Sequence, residues 1–347
     1  MFSSSTRVYP SATGVHYILP SDTLERRRLD LQHSFLSRAL CDSKSVLAPI
    51  TLKPSDKVLD SGTGSGAWAL SLAEEVPASV SIDAFDIQSN IFPESFPPNI
   101  HFSLHSVTNL PGEWSDTYSL VNQRFLFTAL TEPQWKAALL EIFRVLAPGG
   151  WVQLVESSPL MKNMGEYTQK MQKLLIELFA YKKLVTDVPE RLPDMLTQQG
   201  FVNIHSETRA LPLGAWAGLD GTQHRDNLIG VFSALHGPIL QSGGFEPMLS
   251  KEDFDKFLTT LAKEWDNGEE AFASHSWTVV YAQKVRGVPT MRNDHVRLII
   301  YHAESLLRNL SLHFLRGNNR FLFYLCIKLT SSHQSNYIRQ QRRTPIY

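Results

Sequence analysis

Apolar residues along this chain follow two rhythms, and the rhythms alternate. Short, densely apolar runs of strand length stand at 57–61, 80–86, 100–105, 118–123 and 151–156. At 132–146 the apolar residues recur instead at the three- and four-residue spacing of a helix. Strands of this kind, separated by helices, predict an α/β doubly wound fold: a mostly parallel sheet with helices on both faces. Pro93, Pro97 and Pro98 mark the loop between the second and third strands. Further on, 160–198 reads as helical, most clearly over 167–181, and a strand starts at 200–204. The stretch 209–250 is rich in Gly, Leu and aromatics, among them Trp216, His224 and Phe232. A helix over 251–265 and a closing strand over 277–283 complete the pattern.

Ahead of the sheet, Pro20-Ser21-Asp22 punctuates the start of a helix over 23–40, with Asp22 as N-cap and Glu25 three residues on. Leu29, Leu36 and Leu40 share one stripe of that helix, and Gln32 and His33 lie on it; Leu24, Leu31 and Phe35 form a second stripe. A helix apolar on two sides is expected to be covered on both. Polar groups on a covered stripe need partners, so His33 is either a core histidine bonded to a backbone carbonyl or a wall of a pocket.

The chemistry concentrates at 57–70, KVLDSGTGSGAWAL. A strand ends at Asp60, Gly62, Gly64 and Gly66 follow at alternate positions, and a helix opens at Ala67. Glycines let the backbone approach a ligand, and the free N–H groups of a helix start bind polar groups. Gly62, Gly64 and Ala67 also satisfy the dinucleotide pattern. Asp60, however, is unwelcome beside a pyrophosphate and suits a cationic amino group. Asp86 ends the next strand, about 20 residues past the glycines, where a carboxylate takes ribose hydroxyls in doubly wound folds. Later, Leu146-Ala147-Pro148-Gly149-Gly150-Trp151 reads as a helix ending at a Pro-Gly-Gly turn that feeds a buried strand.

With these residues in view, the chain resembles the class I S-adenosylmethionine-dependent methyltransferases. The likeness rests on the D-x-G-x-G-x-G run at 60–66, the acid Asp86 and the L-x-P-G-G-W-x-x-L run at 146–154. A narrower resemblance, to fungal methyltransferases of secondary metabolism, rests on Tyr17-Ile18-Leu19-Pro20-Ser21-Asp22 and on Arg28-Leu29-Asp30-Leu31-Gln32-His33. The likeness runs from about residue 14 to about 285.

The resemblance implies a seven-stranded Rossmann-like sheet with an antiparallel pair at its edge. It also implies S-adenosyl-L-methionine as cofactor and a small-molecule methyl acceptor with an O or N nucleophile. The glycine turn, with Gly62, Thr63, Gly64 and Gly66, would pack against the amino-acid moiety, and Asp60 would lie near its ammonium. Asp86 would take the ribose hydroxyls, with Ile87 and Gln88 beside the adenosine. Many relatives place an Asp against the adenine amino group where Ser106 stands here, followed by Val107. Asn122 and Gln123 end the fourth strand in Val121-Asn122-Gln123-Arg124-Phe125, which departs from the N-P-P-Y type used on amino-nucleobases. Arg124 reads as a pocket residue or a surface cation; it and His33 are the candidate catalytic residues. A methyl sulfonium is already activated, so the lack of a catalytic triad is no objection.

Composition narrows the partners. The chain has 347 residues, 43% hydrophobic, and a net charge of −1, which gives no reason to expect a nucleic-acid partner. No His/Cys/Asp cluster has metal-ligand spacing, so no metal is expected. Cys41 and Cys326 allow one bridge at most, pointing to a reducing compartment, cytoplasmic or nuclear. The Ser-rich N-terminus lacks the apolar core of a secretory signal, and the longest apolar run, 321–327, is too short for a membrane span. Residues 288–347 carry +7 against −8 for the remainder, with Val296, Ile299, Ile300, Ala303, Leu307, Leu310 and Phe314 at helical spacing. Such a basic amphipathic segment can lie on an anionic surface, although an extension outside the catalytic fold is the plainer reading.

The expected organisation is a disordered lead at 1–13, a helical cap at 14–50, a catalytic domain at 51–287 with a lid at about 209–265, and the basic extension. Two other functions remain to be weighed. A regulatory, non-catalytic relative in a nuclear complex is one, since fold does not fix function. An NAD(P)-dependent dehydrogenase is the other; Asp60 and the Pro-Gly-Gly run argue against it.

Overall fold

A computed structural model describes residues 18–163, 165–243, 250–268 and 272–286. The lead at 1–13 and the extension at 288–347 lie outside the described residues.

Seven strands form one sheet in the order β3-β2-β1-β4-β5-β7-β6. They are β1 (Lys57–Ser61), β2 (Ser81–Asp86), β3 (Ile100–Leu104), β4 (Tyr118–Arg124), β5 (Leu146–Lys162), β6 (Phe201–Pro212) and β7 (Ser274–Lys284). The first five pair in parallel, while β7 runs antiparallel to both β5 and β6. The helices are α1 (Thr23–Ala39), α2 (Ala67–Glu75), α3 (Glu132–Val145), α4 (Glu166–Lys182), α5 (Val188–Gln198), α6 (Gly218–Ala234), α7 (His236–Gln241) and α8 (Lys251–Asp266).

The sheet is apolar on both faces because neighbouring residues of each strand point to opposite sides. Val58 and Leu120 pack with Trp68, Ala69 and Leu72 of α2. Their neighbours Leu59 and Val121 pack with Trp135, Leu139 and Ile142 of α3 and Leu192 and Leu196 of α5. On the α2 side, α1 buries Phe35 and Leu36 against Val155, Trp277 and Val279. A further cluster joins α4, α6, α7 and α8, and the chain entering α1 inserts Ile18 and Leu19 into it.

Several boundaries differ from the sequence reading. The Pro-Gly-Gly run is no turn: β5 starts at Leu146, pairs it with Tyr118, and resumes register at Trp151 opposite Leu120. Residues 147–150 are thus a bulge, with Gly149 at φ +85°. At its other end β5 runs to Lys162, six residues beyond Glu156, because β7 pairs with it as far as Ser274. Residues 160–162 are therefore strand, and the helical region behind them is two helices, α4 and α5. β6 continues to Pro212, so the helices between β6 and β7 begin later than the predicted lid.

Asp22 caps α1, accepting from the Glu25 N–H at 3.0 Å, while the Glu25 carboxylate turns to Arg28 at 2.6 Å. Along the second stripe of α1, Phe35 is buried, Leu31 half-buried and Leu24 42% exposed. α1 leans on α6 through Arg28 Nη1–H to Asn227 Oδ1 (2.7 Å) and Arg38 Nη2–H to Asp220 Oδ1 (2.8 Å). Glu75, the last residue of α2, accepts from Ser45 N–H and Oγ–H and ties α2 to the chain after α1.

Candidate active site

The site lies at the carboxyl ends of β1, β2 and β4, where the sheet order reverses direction between β1 and β4. Gly66 begins α2 at φ +79°, and a Cβ there would stand 2.8 Å from the Phe102 ring, so only glycine turns the chain this tightly. Gly64 (φ +58°) faces α1, where a Cβ would meet Leu29 Cδ1 at 3.2 Å.

A cavity of about 390 Å³ opens here. Of the predicted residues, Asp60, Gly62, Thr63, Gly64, Asp86, Ile87, Gln88, Ser106, Val107 and Arg124 line it. Gly66, Asn122 and Gln123 do not. Gly66 shapes the turn; Asn122 is buried behind the wall and donates through Nδ2–H to Asp60 Oδ1 at 2.7 Å. Gln123, also buried, accepts from Ser61 Oγ–H at 3.1 Å. Among the lining residues that the sequence reading missed are Pro20, Ser21, Leu29, His105, Thr108, Phe125, Leu126 and Gln134. Pro20, Ser21 and Leu29 belong to the segment quoted for the fungal resemblance; the others carried no sequence signal.

Both carboxylates are held by the corner itself. Asp60 accepts from Thr63 Oγ1–H at 2.6 Å as well as from Asn122, and Asp86 accepts from the N–H groups of Gly64 (2.9 Å), Ile87 (2.7 Å) and Gln88 (3.3 Å). Burial pushes both carboxyls above their usual range, and these hydrogen bonds pull the other way. Arg124 lies over the Phe125 ring at 5.0 Å, and burial lowers its pKa.

His33 lines neither this cavity nor the neighbouring one described below. Arg124 Nη1–H donates to its Nδ1 at 3.2 Å. Arginine can only donate, so Nδ1 is the bare nitrogen and Nε2–H donates to Ser71 Oγ at 2.8 Å. Burial, with the Arg124 charge second, lowers the His33 pKa to about 3. The predicted backbone-carbonyl partner is therefore replaced by two side chains.

The loop after β4 is strained and gripped. Phe125 sits at φ +63°, in the left-handed region that non-glycine residues rarely adopt. Glu156 of β5 accepts from Leu126 N–H (3.1 Å) and Phe127 N–H (3.0 Å), which holds that conformation. Its burial pushes the carboxyl up to about 8. A second, narrower cavity of about 70 Å³ adjoins the first across Leu29 and Phe125, walled mainly by α1, β5, α4, α6 and β7.

Residues 32–206 match the family described as a methyltransferase domain. The chain belongs to that family, and with this sheet, glycine corner and pair of carboxylates it is a class I S-adenosylmethionine-dependent methyltransferase. Among individual relatives it is similar to N-methyltransferase gliN of Aspergillus fumigatus, 28% identical over 57% of this chain and 72% of the relative. It is also similar to N-methyltransferase tcpN of Claviceps purpurea, 29% identical over 56% and 71%. Secondary metabolism regulator laeA of Fusarium oxysporum f. sp. lycopersici is 26% identical over 61% and 69%.

Proposed function

We propose that the chain transfers a methyl group to a nitrogen nucleophile of a small molecule, with the larger cavity as the cofactor site. The observation that carries this reading is the pair Asp60 and Asp86, at the ends of adjacent strands, lining one glycine-walled cavity. The lining suits S-adenosylmethionine: buried Gln88 Oε1 and Ser21 Oγ have no partner among the described residues, and both residues line the cavity. When bound, that cofactor supplies a methyl group on a sulfonium, which departs as a neutral thioether.

The protein's part is binding, orientation and exclusion of water. Asp86 accepts from ribose hydroxyls, and Ile87 and Gln88 flank the adenosine, with Ser106 and Val107 at its base. Asp60 faces the ammonium. Arg124, a cation that makes no ion pair among the described residues, offers its charge to the carboxylate of the same amino-acid end. His33 acts through Arg124 as a positioning residue. Helix α1 covers the cavity, which favours a small acceptor over a protein or duplex.

The nitrogen acceptor rests on the names of the two N-methyltransferase relatives, and an unprotonated amine needs no general base. The regulatory reading draws on the lower-identity regulator relative and on no residue of the site.

Calorimetric titration with S-adenosylhomocysteine, S-adenosylmethionine and NADH tests the cofactor. S-adenosylhomocysteine is expected to bind in the micromolar range, about −8 kcal/mol. Asp86→Ala is expected to weaken it by about 1.5–3 kcal/mol, the worth of hydrogen bonds to a charged group. NADH binding without a response to S-adenosylhomocysteine would defeat the proposal.

A further inference from the structure

Two residues that line the narrow second cavity each carry a buried polar atom that the protein leaves unanswered. Its walls are mostly apolar, with Leu29, Leu175, Phe179, Leu228 and Phe232 around it. Gln32 of α1 and His275 of β7 also line it, only 5% and 4% exposed. His275 Nε2 lies 2.7 Å from the Ser158 carbonyl oxygen, which can only accept. Nε2 therefore carries the ring proton, and Nδ1 is a bare acceptor. Neither His275 Nδ1 nor Gln32 Oε1 has a hydrogen-bond partner among the described residues. Buried acceptors without donors are costly and uncommon, and here two of them belong to residues that line one cavity.

Burial lowers the His275 pKa to about 4, so the ring stays neutral at physiological pH and Nδ1 stays free to accept. The cation at the cavity edge, Arg28, is already bonded to Glu25 and Asn227, which leaves little attraction for an anion. An ionised amine would lose its hydration against apolar walls. The volume is about half that of a cavity known to admit benzene, so a fragment of the acceptor enters and not the whole molecule.

We propose that this cavity selects the methyl acceptor by taking an uncharged, mainly apolar portion that carries an N–H or O–H, which donates to His275 Nδ1 and Gln32 Oε1. The proposal rests on the methyltransferase reading above. It makes Gln32 and His275 specificity-determining residues, placed across Leu29 and Phe125 from the cofactor cavity.

Matched fragments test it on the full-length protein saturated with S-adenosylhomocysteine, by ligand-observed NMR titration. The pairs, each smaller than benzene and closely matched in size, are acetamide against acetone and 2-propanol against acetone. In each pair the donor-bearing fragment is expected to bind about fivefold tighter or better, roughly the worth of one net hydrogen bond. His275→Gln keeps an N–H for the Ser158 carbonyl but lacks the Nδ1 lone pair; Gln32→Leu lacks the amide. Each variant is expected to lose most of the preference while holding S-adenosylhomocysteine within about twofold of the wild type, which also checks its fold. Equal binding of donor-bearing and donor-free fragments to the wild type overturns the proposal, as does a preference that survives in both variants. Failure of the wild type to bind S-adenosylhomocysteine would strike the cofactor reading instead, and the same fragment comparison without it still decides this one.

Discussion

His33 is held at both ring nitrogens, by Ser71 and by Arg124, and this fixes what its loss should do. His33→Ala frees the Arg124 guanidinium from its only side-chain hydrogen bond among the described residues, at the wall of the larger cavity. Turnover is expected to fall by about tenfold, the worth of about one hydrogen bond from a charged group, with a smaller effect on thermal unfolding. His33→Asn, which keeps an acceptor near Nδ1, is expected to recover part of that turnover. Single-turnover transfer and thermal unfolding of the same variants provide the check. Full turnover in an alanine variant that unfolds many degrees earlier would make His33 a core histidine and nothing more.

At the scale of elements, the decisive contact joins β5 to the loop after β4. Glu156 gives one carboxylate to two backbone N–H groups, and Gln offers only one oxygen, so Glu156→Gln is expected to cost about 1–3 kcal/mol for the unpaired N–H. Its pH dependence has a definite sign. The folded-state pKa, about 8, lies above the ordinary glutamate value of 4.5, so the folded chain keeps a proton that the unfolded chain has released. Stability contributed by this group therefore falls as pH rises between those values, by up to about 1.4 kcal/mol per pH unit, and levels off above. Urea unfolding across that range should show a flatter profile for Glu156→Gln than for the wild type.

Sequence periodicity made β1 to β4, α2 and α3 legible, because each is a short apolar run or a helical stripe bounded by Gly, Pro or a cap. It also placed Asp60 and Asp86, whose positions follow from strand ends. It could not show that β5 runs past Glu156, since Ser157-Ser158-Pro159 reads as a break and only pairing with β7 carries the strand on. Nor could it find the second cavity, whose polar walls lie more than 240 positions apart in sequence, at Gln32 and His275.

Over the whole molecule, buried rings tie the covering helices to the sheet. His224 of α6 packs against Phe35 of α1 at 5.1 Å and accepts from Trp277 Nε1–H of β7 at 3.1 Å. Burial, then the neighbouring His275, lowers its pKa from 6.5 to about 3. The unfolded chain takes up a proton below the higher value and the folded chain does not until the lower one. Stability from this group is thus present above pH 6.5 and lost as pH falls toward 3. The loss approaches about 1.4 kcal/mol per pH unit. His224→Phe leaves Trp277 without its acceptor and is expected to be less stable at neutral pH. Its stability should nonetheless decline less steeply on acidification, which denaturant unfolding at several pH values will read. An unchanged slope would show that His224 is protonated alike in both states.

The wall between the two cavities consists of side chains both of them touch, Leu29 and Phe125. A thin shared partition makes the occupants thermodynamically dependent on one another. Filling the larger space fixes the faces that the smaller one presents, so an acceptor should bind more tightly to the loaded protein than to the empty one. Reciprocity then requires the acceptor to tighten S-adenosylhomocysteine by the same factor. Two titrations run in opposite order around that cycle must agree; equal affinities in loaded and empty protein would mean that the partition transmits nothing. If it transmits, the enzyme gains a preferred order of assembly from two side chains, and the acceptor is admitted chiefly when a methyl donor is already in place.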